Sequence, residues 1–223
     1  ITMQSEPTRG VECLIRAMDV GPSEEYIMVH NKGHRTCDKS DARDTASDLH
    51  HCNRFIFSYA QSHLHGKRIL ILEDDCVWQP RARSALRTID VWLNSRDDVD
   101  HYFLGCMVAP FRVFPVALYH WRTFGMGFGA GGGSHAVIHT SRGYHGPHMS
   151  VVRERHVDFQ FVIHGRGFMF WRPVATQTWP ITANSSTWDG PVVRSHHRML
   201  GMEWRAQPGF TIVYSMAMVL PVL

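Results

Sequence analysis

Three consecutive carboxylates, Glu73-Asp74-Asp75, follow directly on the apolar run Arg68–Leu72, which reads R-I-L-I-L. Neighbouring carboxylates repel one another, and partial dehydration at the end of a buried strand makes the repulsion worse. A hard divalent cation with oxygen ligands, Mn2+ or Mg2+, is the natural compensation. In an extended chain successive side chains alternate, so Glu73 and Asp75 project to one side and Asp74 to the other. Glu73 and Asp75 are thus the candidate metal ligands, and Asp74 is a supporting residue. The plain alternative is a solvated turn, or an acidic approach to the helix that Pro80 opens. These residues by themselves leave both readings open.

Other residues offer further chemistry. Lys39 and Arg43 lie in the polar stretch 31–48 and are placed to meet a diphosphate or a ribose; ordinary solvated cations are the competing account. Gly127-Phe128-Gly129-Ala130-Gly131-Gly132 fits G-x-G-x-x-G. A dinucleotide fingerprint follows a strand and opens a helix, whereas here a strand-like run, His135–His139, comes next. The glycines therefore read as a loop, with Ser134 and His135 just after it as candidate donor or acceptor contacts. His50-His51, His63-x-His65 and His196-His197 raise a zinc site, but no H-E-x-x-H occurs. Trp121, Trp171, Trp179 and Trp188 are candidates for stacking on sugar rings, with core packing as the competing account.

The elements that must position these groups are legible as patterns. Leu49, Cys52, Ile56 and Tyr59 keep helical spacing, with Asp44, Thr45 or Ser47 as cap and Gly66 as stop. The run 68–72 suits a strand buried on both faces. After Pro80, residues Ala82, Ala85, Leu86, Ile89, Trp92 and Leu93 share one helical face. His101–Gly105 is the next strand. Helix, strand, acidic turn, helix, strand is an α/β alternation and predicts a mostly parallel sheet flanked by helices. Ligands on such sheets bind beyond the carboxyl ends of the strands, where the acids stand. Further strands are predicted at Val11–Ala17, Tyr26–His30, His135–His139, Val157–Val162 and Phe168–Trp171. With no repeat and no clear linker, residues 1–223 read as one domain.

Composition narrows the function classes. The chain has 223 residues, 44% hydrophobic and 19% charged, enough for a sizeable core. A net charge of +3 is too mild for a nucleic-acid binder. Five cysteines without a C-x-x-C indicate neither a disulfide framework nor a zinc knuckle. They lean towards a reducing compartment such as the cytoplasm, or a secretory lumen if an upstream signal has been removed. The apolar stretch Phe210–Leu223 is shorter than the roughly 20 residues that span a bilayer, so no transmembrane segment is expected.

The order of motifs resembles glycosyltransferase family 25, a group with the GT-A fold. Thr45–Gln61 (T-A-S-D-L-H-H-C-N-R-F-I-F-S-Y-A-Q) is similar to that family's helix before the metal strand. Ile69–Val77 (I-L-I-L-E-D-D-C-V) is similar to its strand with E-D-D. Asp100–Gly105 (D-H-Y-F-L-G) resembles its D-x-x-x-L-G strand, and Gly133–Thr140 (G-S-H-A-V-I-H-T) its G-x-x-A-Y-x-x-S segment. His156-Val157-Asp158-Phe159 resembles its V-D segment, and Trp171–Ser186 its closing P-x-x-x-Q and Ser stretch. The resemblance covers roughly residues 45–188. Val137 stands where the family often has Tyr, and Gly143, Gly146 and Pro147 break the helix expected after Ser141. The family's first strand has no clean match in residues 1–44; it lies upstream of Ile1, or the relation is a distant one.

The resemblance implies a single GT-A-like domain. It implies transfer of a galactosyl or glucosyl unit from a nucleotide sugar, UDP-hexose, to a hydroxyl of a glycan, protein or lipid. The cation held by Glu73 and Asp75 would offset the diphosphate's charge. Asp74, Lys39, Arg43, Ser134, His135 and Gln177 would contact the donor. Asp158 would be the base of an inverting reaction; a strand-edge aspartate or an added metal ligand is the other account of it. Two rivals share the acidic cluster. One is a metal-dependent phosphoesterase, with His101, His156 and Asp158 available for a second metal. The other is a non-catalytic carbohydrate-binding protein on a degenerate transferase fold.

Overall fold

The computed structural model describes residues 2–3, 27–32, 44–105, 113–123, 135–149 and 157–177. Two short strands, β1 (Thr2–Met3) and β2 (His30–Asn31), pair in parallel. The side-chain amide of Asn31 donates to buried Asp48 at 3.0 Å, which ties β2 to the first helix. The predicted strand Val11–Ala17 lies outside the described residues.

Helix α1 (Thr45–His63) starts where its cap dictates. The Asp44 carboxylate accepts from the Ser47 amide at 2.8 Å, and the Asp44 amide donates to Ser47 Oγ at 2.9 Å. This reciprocal box satisfies two of the amides that a helix start leaves open. The last four residues of the polar stretch 31–48 thus belong to α1. The helix ends at Leu64, after which His65 and Gly66 adopt φ of 38° and 85°. Gly66 takes that left-handed conformation without a Cβ penalty.

The chain continues through β3 (Ile69–Leu72), a turn, β4 (Cys76–Trp78), helix α2 (Ala82–Asn94) and β5 (His101–Phe103). Helix α2 buries Ala82, Ala85, Ile89 and Leu93, the stripe predicted from spacing. Then come the hairpin β6 (Val113–Ala117) and β7 (His120–Thr123), strand β8 (Ala136–His139) and a one-turn helix α3 (Ser141–His145). Gly146 and Pro147 end α3, and a 3-10 turn, Pro147–Met149, follows. Helix α4 (Val157–His164), β9 (Gly167–Phe170) and β10 (Ala175–Gln177) complete the described chain.

Six strands form the main sheet in the order β3-β8-β5-β9-β7-β6. Side chains alternate cleanly between its faces. Ile71, Phe103, Val137 and Met169 join Phe57 and Ala60 of α1, Tyr144 of α3, and Phe161 of α4 in one core cluster. Tyr102, Ala136, Phe168 and Phe170 join Ala85, Ile89 and Leu93 of α2 in the other. The result is a sheet with helices on both faces, as the α/β reading expected.

The expectation of a mostly parallel sheet is corrected. Four neighbouring pairs are antiparallel, and only β5–β9 is parallel. The alternation in 49–105 does set β3 and β5 in one direction, but they are not neighbours. Strand β8 enters between them reversed, and the β6–β7 hairpin adds two antiparallel contacts at the far edge. Three strand expectations change as well. Of Tyr26–His30, only His30 among the described residues is strand, in β2. Val157–Val162 lies in helix α4; a short continuous apolar run fits a buried helix as well as a strand. Strand β3 is not buried on both faces: it pairs with β8 at one end of the sheet order, and Leu70 is 41% exposed. No helix among the described residues is long and apolar enough to cross a membrane.

Candidate functional site

Strand β3 delivers the acids to an edge where several segments meet. The Glu73 amide donates to the His135 carbonyl at 2.9 Å, which anchors the acidic segment to the residue preceding β8. Asp74 and Asp75 form a turn closed by the Cys76 amide donating to the Glu73 carbonyl at 3.1 Å. The chain then enters β4, which pairs antiparallel with β10, setting Gln177 opposite Cys76. Beyond β5, the Leu104 amide donates to the Ala136 carbonyl at 3.0 Å. The Leu104 carbonyl accepts from the amides of Val174 and Ala175 at 2.6 and 3.1 Å. Residues 73–76, 104–105, 135–136 and 174–177 therefore converge where β3 and β5 end.

Gly105 is what lets them converge. A Cβ there would lie 2.1 Å from His135 Nε2 and 2.3 Å from the Ala175 carbonyl oxygen. His135 is 2% exposed; its Nε2 is 3.5 Å from the Ala175 oxygen, and its Nδ1 makes no hydrogen bond. Burial pushes its pKa down to about 4, so the ring is neutral at pH 7. Sequence reasoning missed Gly105 as a site residue. Its signals were its place as the last residue of the predicted strand His101–Gly105 and as the glycine of the D-x-x-x-L-G motif, where close approach of other groups is common.

The turn revises the argument that separated the acids. Residues 74–75 are not extended, so strand alternation does not apply to them. Asp74 is 8% exposed, whereas Glu73 and Asp75 are half-buried. The separation of Asp74 from its neighbours thus comes from the turn. No group of three or more His, Cys, Asp or Glu suited to a metal occurs among the described residues. Glu73 and Asp75 are two half-buried carboxylates, fewer than such a group; a cation of the Mg2+ or Mn2+ kind is ordinarily held by one or two carboxylates, with water and substrate phosphate filling the rest of its shell.

The other predicted residues are placed as follows. Asp158 lies in the first turn of α4. Further along that helix, Phe161 packs at 4.8 Å from both His101 and His139, and Gly165 abuts His101. Those histidines mark the end of the sheet remote from the acidic turn. His101 cannot join the acids in a second metal site, because it begins β5 and is fully buried beside His139. His50 is buried, while His51, His63 and His65 are exposed on or just after α1. Trp121 is 3% exposed and belongs to the core. Lys39, Arg43, Ser134, the glycine run 127–132, His156, Trp179, Trp188 and His196-His197 lie outside the described residues. In comparison with known proteins, no family model matches the chain, and no curated protein matches it.

Proposed function

We propose that the protein transfers a hexosyl unit, galactosyl or glucosyl, from UDP-hexose to a hydroxyl acceptor with the help of Mn2+ or Mg2+. The observation that carries this reading is the half-buried Glu73–Asp75 turn, hydrogen-bonded to the segment before β8 and set beside β10 at the carboxyl ends of β3 and β5. The ordered resemblance of the sequence motifs to family 25 glycosyltransferases, together with a sheet that carries helices on both faces, supports it.

Glu73 and Asp75 hold the cation, which when bound offsets the charge gathering on the departing diphosphate. Asp74, buried, braces the turn. In the inverting form of the reaction, the acceptor oxygen bonds to the anomeric carbon as the bond from that carbon to the diphosphate breaks. The electron pair leaves with the diphosphate, and the hydroxyl proton passes to the Asp158 carboxylate. Lys39, Arg43, Ser134 and Gln177 contact the donor, while His135, buried, acts only through its carbonyl, which receives the Glu73 amide.

Thermal unfolding with UDP, with and without Mn2+, tests this. A ligand that binds only the folded state at a hundred times its Kd adds about 2.7 kcal/mol, which raises Tm by several degrees in a chain of this size. The expected result is a rise that needs both UDP and metal. The absence of a shift with any nucleoside diphosphate sinks the proposal. Asp75→Ala abolishes the shift with Tm otherwise near that of the parent; a shift that survives overturns the metal assignment.

A further inference from the structure

The tip of the β6–β7 hairpin is an exposed aromatic feature that the transfer chemistry above does not use. Leu118 is 76% exposed and Tyr119 is 42% exposed. Tyr119 has a φ of 68°, in the left-handed region that bulky residues rarely occupy. The strand register shifts between Pro115 and Ala117, just before this turn. The strained residue is pinned from outside the hairpin: the Trp171 amide donates to the Tyr119 carbonyl at 2.9 Å. The two rings lie 5.6 Å apart and tilted by 32°, and the Arg172 guanidinium sits 4.0 Å above the Trp171 ring. Strain held in place by a neighbouring segment is a common mark of a functional site.

Location adds to this. Strand β9 runs parallel to β5, so Trp171 emerges at the end of the sheet where Leu104 and Gly105 emerge. From Trp171 the chain crosses that end through Val174 and Ala175, bonded to Leu104, and reaches Gln177 opposite Cys76. The aromatic pair and the acidic turn thus occupy one edge. Strands β3 and β9 stand three places apart in the sheet order, roughly 14 Å. That distance exceeds one sugar ring.

We infer that Tyr119, Trp171 and Arg172 form a ledge that binds a non-reacting sugar ring of an oligosaccharide acceptor. This rests on the sugar-transfer reading. The exposed Tyr119 ring packs against the C–H face of a pyranose, while Trp171 supports it from the side and the guanidinium above Trp171 offers donors to ring hydroxyls. Among the described residues Arg172 has no carboxylate partner, so those donors are available. A purely apolar protein contact would leave this cation buried and unpaired, which disfavours that occupant.

Binding of the whole chain to an array of neutral and acidic oligosaccharides tests the ledge. The variants are Tyr119→Gly, which suits the backbone conformation while removing the ring, and Trp171→Leu, which keeps apolar bulk. The parent protein is expected to bind a subset of glycans with more than one sugar ring. Both variants lose at least tenfold in affinity for them and keep the parent's UDP–Mn2+ thermal shift. Equal glycan binding by parent and variants overturns the ledge, as does a parent that binds no glycan. A change in self-association instead, seen by sedimentation, also overturns it and makes the tip a contact between copies. Ledge-dependent glycan binding without any nucleotide shift removes the transfer reading and leaves the ledge standing. A normal nucleotide shift without ledge-dependent glycan binding does the reverse.

Discussion

His101 and His139 face each other across adjacent antiparallel strands and share a hydrogen bond from Nδ1 to Nδ1 of 2.8 Å. Both are fully buried, and Phe161 packs on each ring while Phe57 packs on His139. Such a bond needs one N–H and one lone pair, so at least one ring is uncharged. Leucine at either position strands the other imidazole nitrogen in an apolar setting, at about 1–3 kcal/mol. The double substitution removes both polar atoms. A double-mutant cycle read by urea unfolding is therefore expected to show coupling of about 1 kcal/mol. Effects that simply add would show that the contact carries no stability.

Acid stability follows from two other histidines. Burial lowers the pKa of both His120 and His135 from 6.5 to about 4, with Arg96 adding to the effect at His120. His120 stacks on Trp92 with ring centroids 4.4 Å apart, and its Nδ1 lies 2.8 Å from the Tyr102 hydroxyl, whose own pKa burial pushes well up. The unfolded chain therefore binds more protons than the native chain between these values, and stability falls as pH drops from 6.5 towards 4. The combined loss is on the order of a few kcal/mol. Asp98, held low by its hydrogen bond to Arg96, contributes above its ordinary value of 3.8 and loses that contribution only below it. Urea midpoints measured across this range check the window. A flat profile above pH 4 would mean that the two rings are not held neutral by the fold.

Asp100 joins the remote ends of three strands. Its carboxylate accepts from Arg142 Nε at 2.7 Å and from the Arg166 amide at 2.8 Å, and its carbonyl accepts from the Thr140 amide at 3.1 Å. Arg142 is half exposed, so the ion pair itself contributes modestly. The bond to the Arg166 amide is the larger part, because that amide precedes β9. Asp100→Ala is expected to cost about 2–3 kcal/mol in urea unfolding, with Asp100→Asn milder because its amide oxygen still accepts. Similar small losses for both would place the strength of this corner elsewhere.

What the sequence makes legible here is what local chemistry decides. The Asp44–Ser47 cap, the Gly66 stop and the buried stripe of α2 are written in residues a turn or two apart. Strand β3 and its acidic turn are equally local. Strand direction is not: β8 pairs with β3 from some 65 residues away, and an apolar run such as Ala136–His139 reads the same in either orientation. The helix Val157–His164 was read as a strand because an apolar run of that length has no distinctive period. Within the candidate site, Glu73, Asp75 and His135 stand out by residue type and motif order. Gly105 enters only as the last residue of a motif, and Tyr119 not at all. One matters through close approach of distant groups, the other through a backbone angle.

Gly105 gives the sharpest test of how the site is built. The atoms that a Cβ would strike are the buried His135 ring and the Ala175 carbonyl, neither of them the free end of a flexible side chain. Gly105→Ala must therefore move His135, the start of β10, or both, at about 1–3 kcal/mol. Moving His135 disturbs its carbonyl, which accepts from Glu73; moving β10 disturbs its pairing with β4 opposite Cys76. Either shift reaches the acidic turn. The variant is expected to remain folded with a Tm lower by several degrees, and to bind UDP–Mn2+ at least tenfold more weakly. Adding His135→Ala makes room for the methyl group on one side and should recover part of the lost stability, since the Ala175 oxygen still crowds it. If the second substitution only adds to the loss, the His135 ring is not what the methyl group meets, and the convergence of residues 104–105 with 135–136 is looser than the distances require.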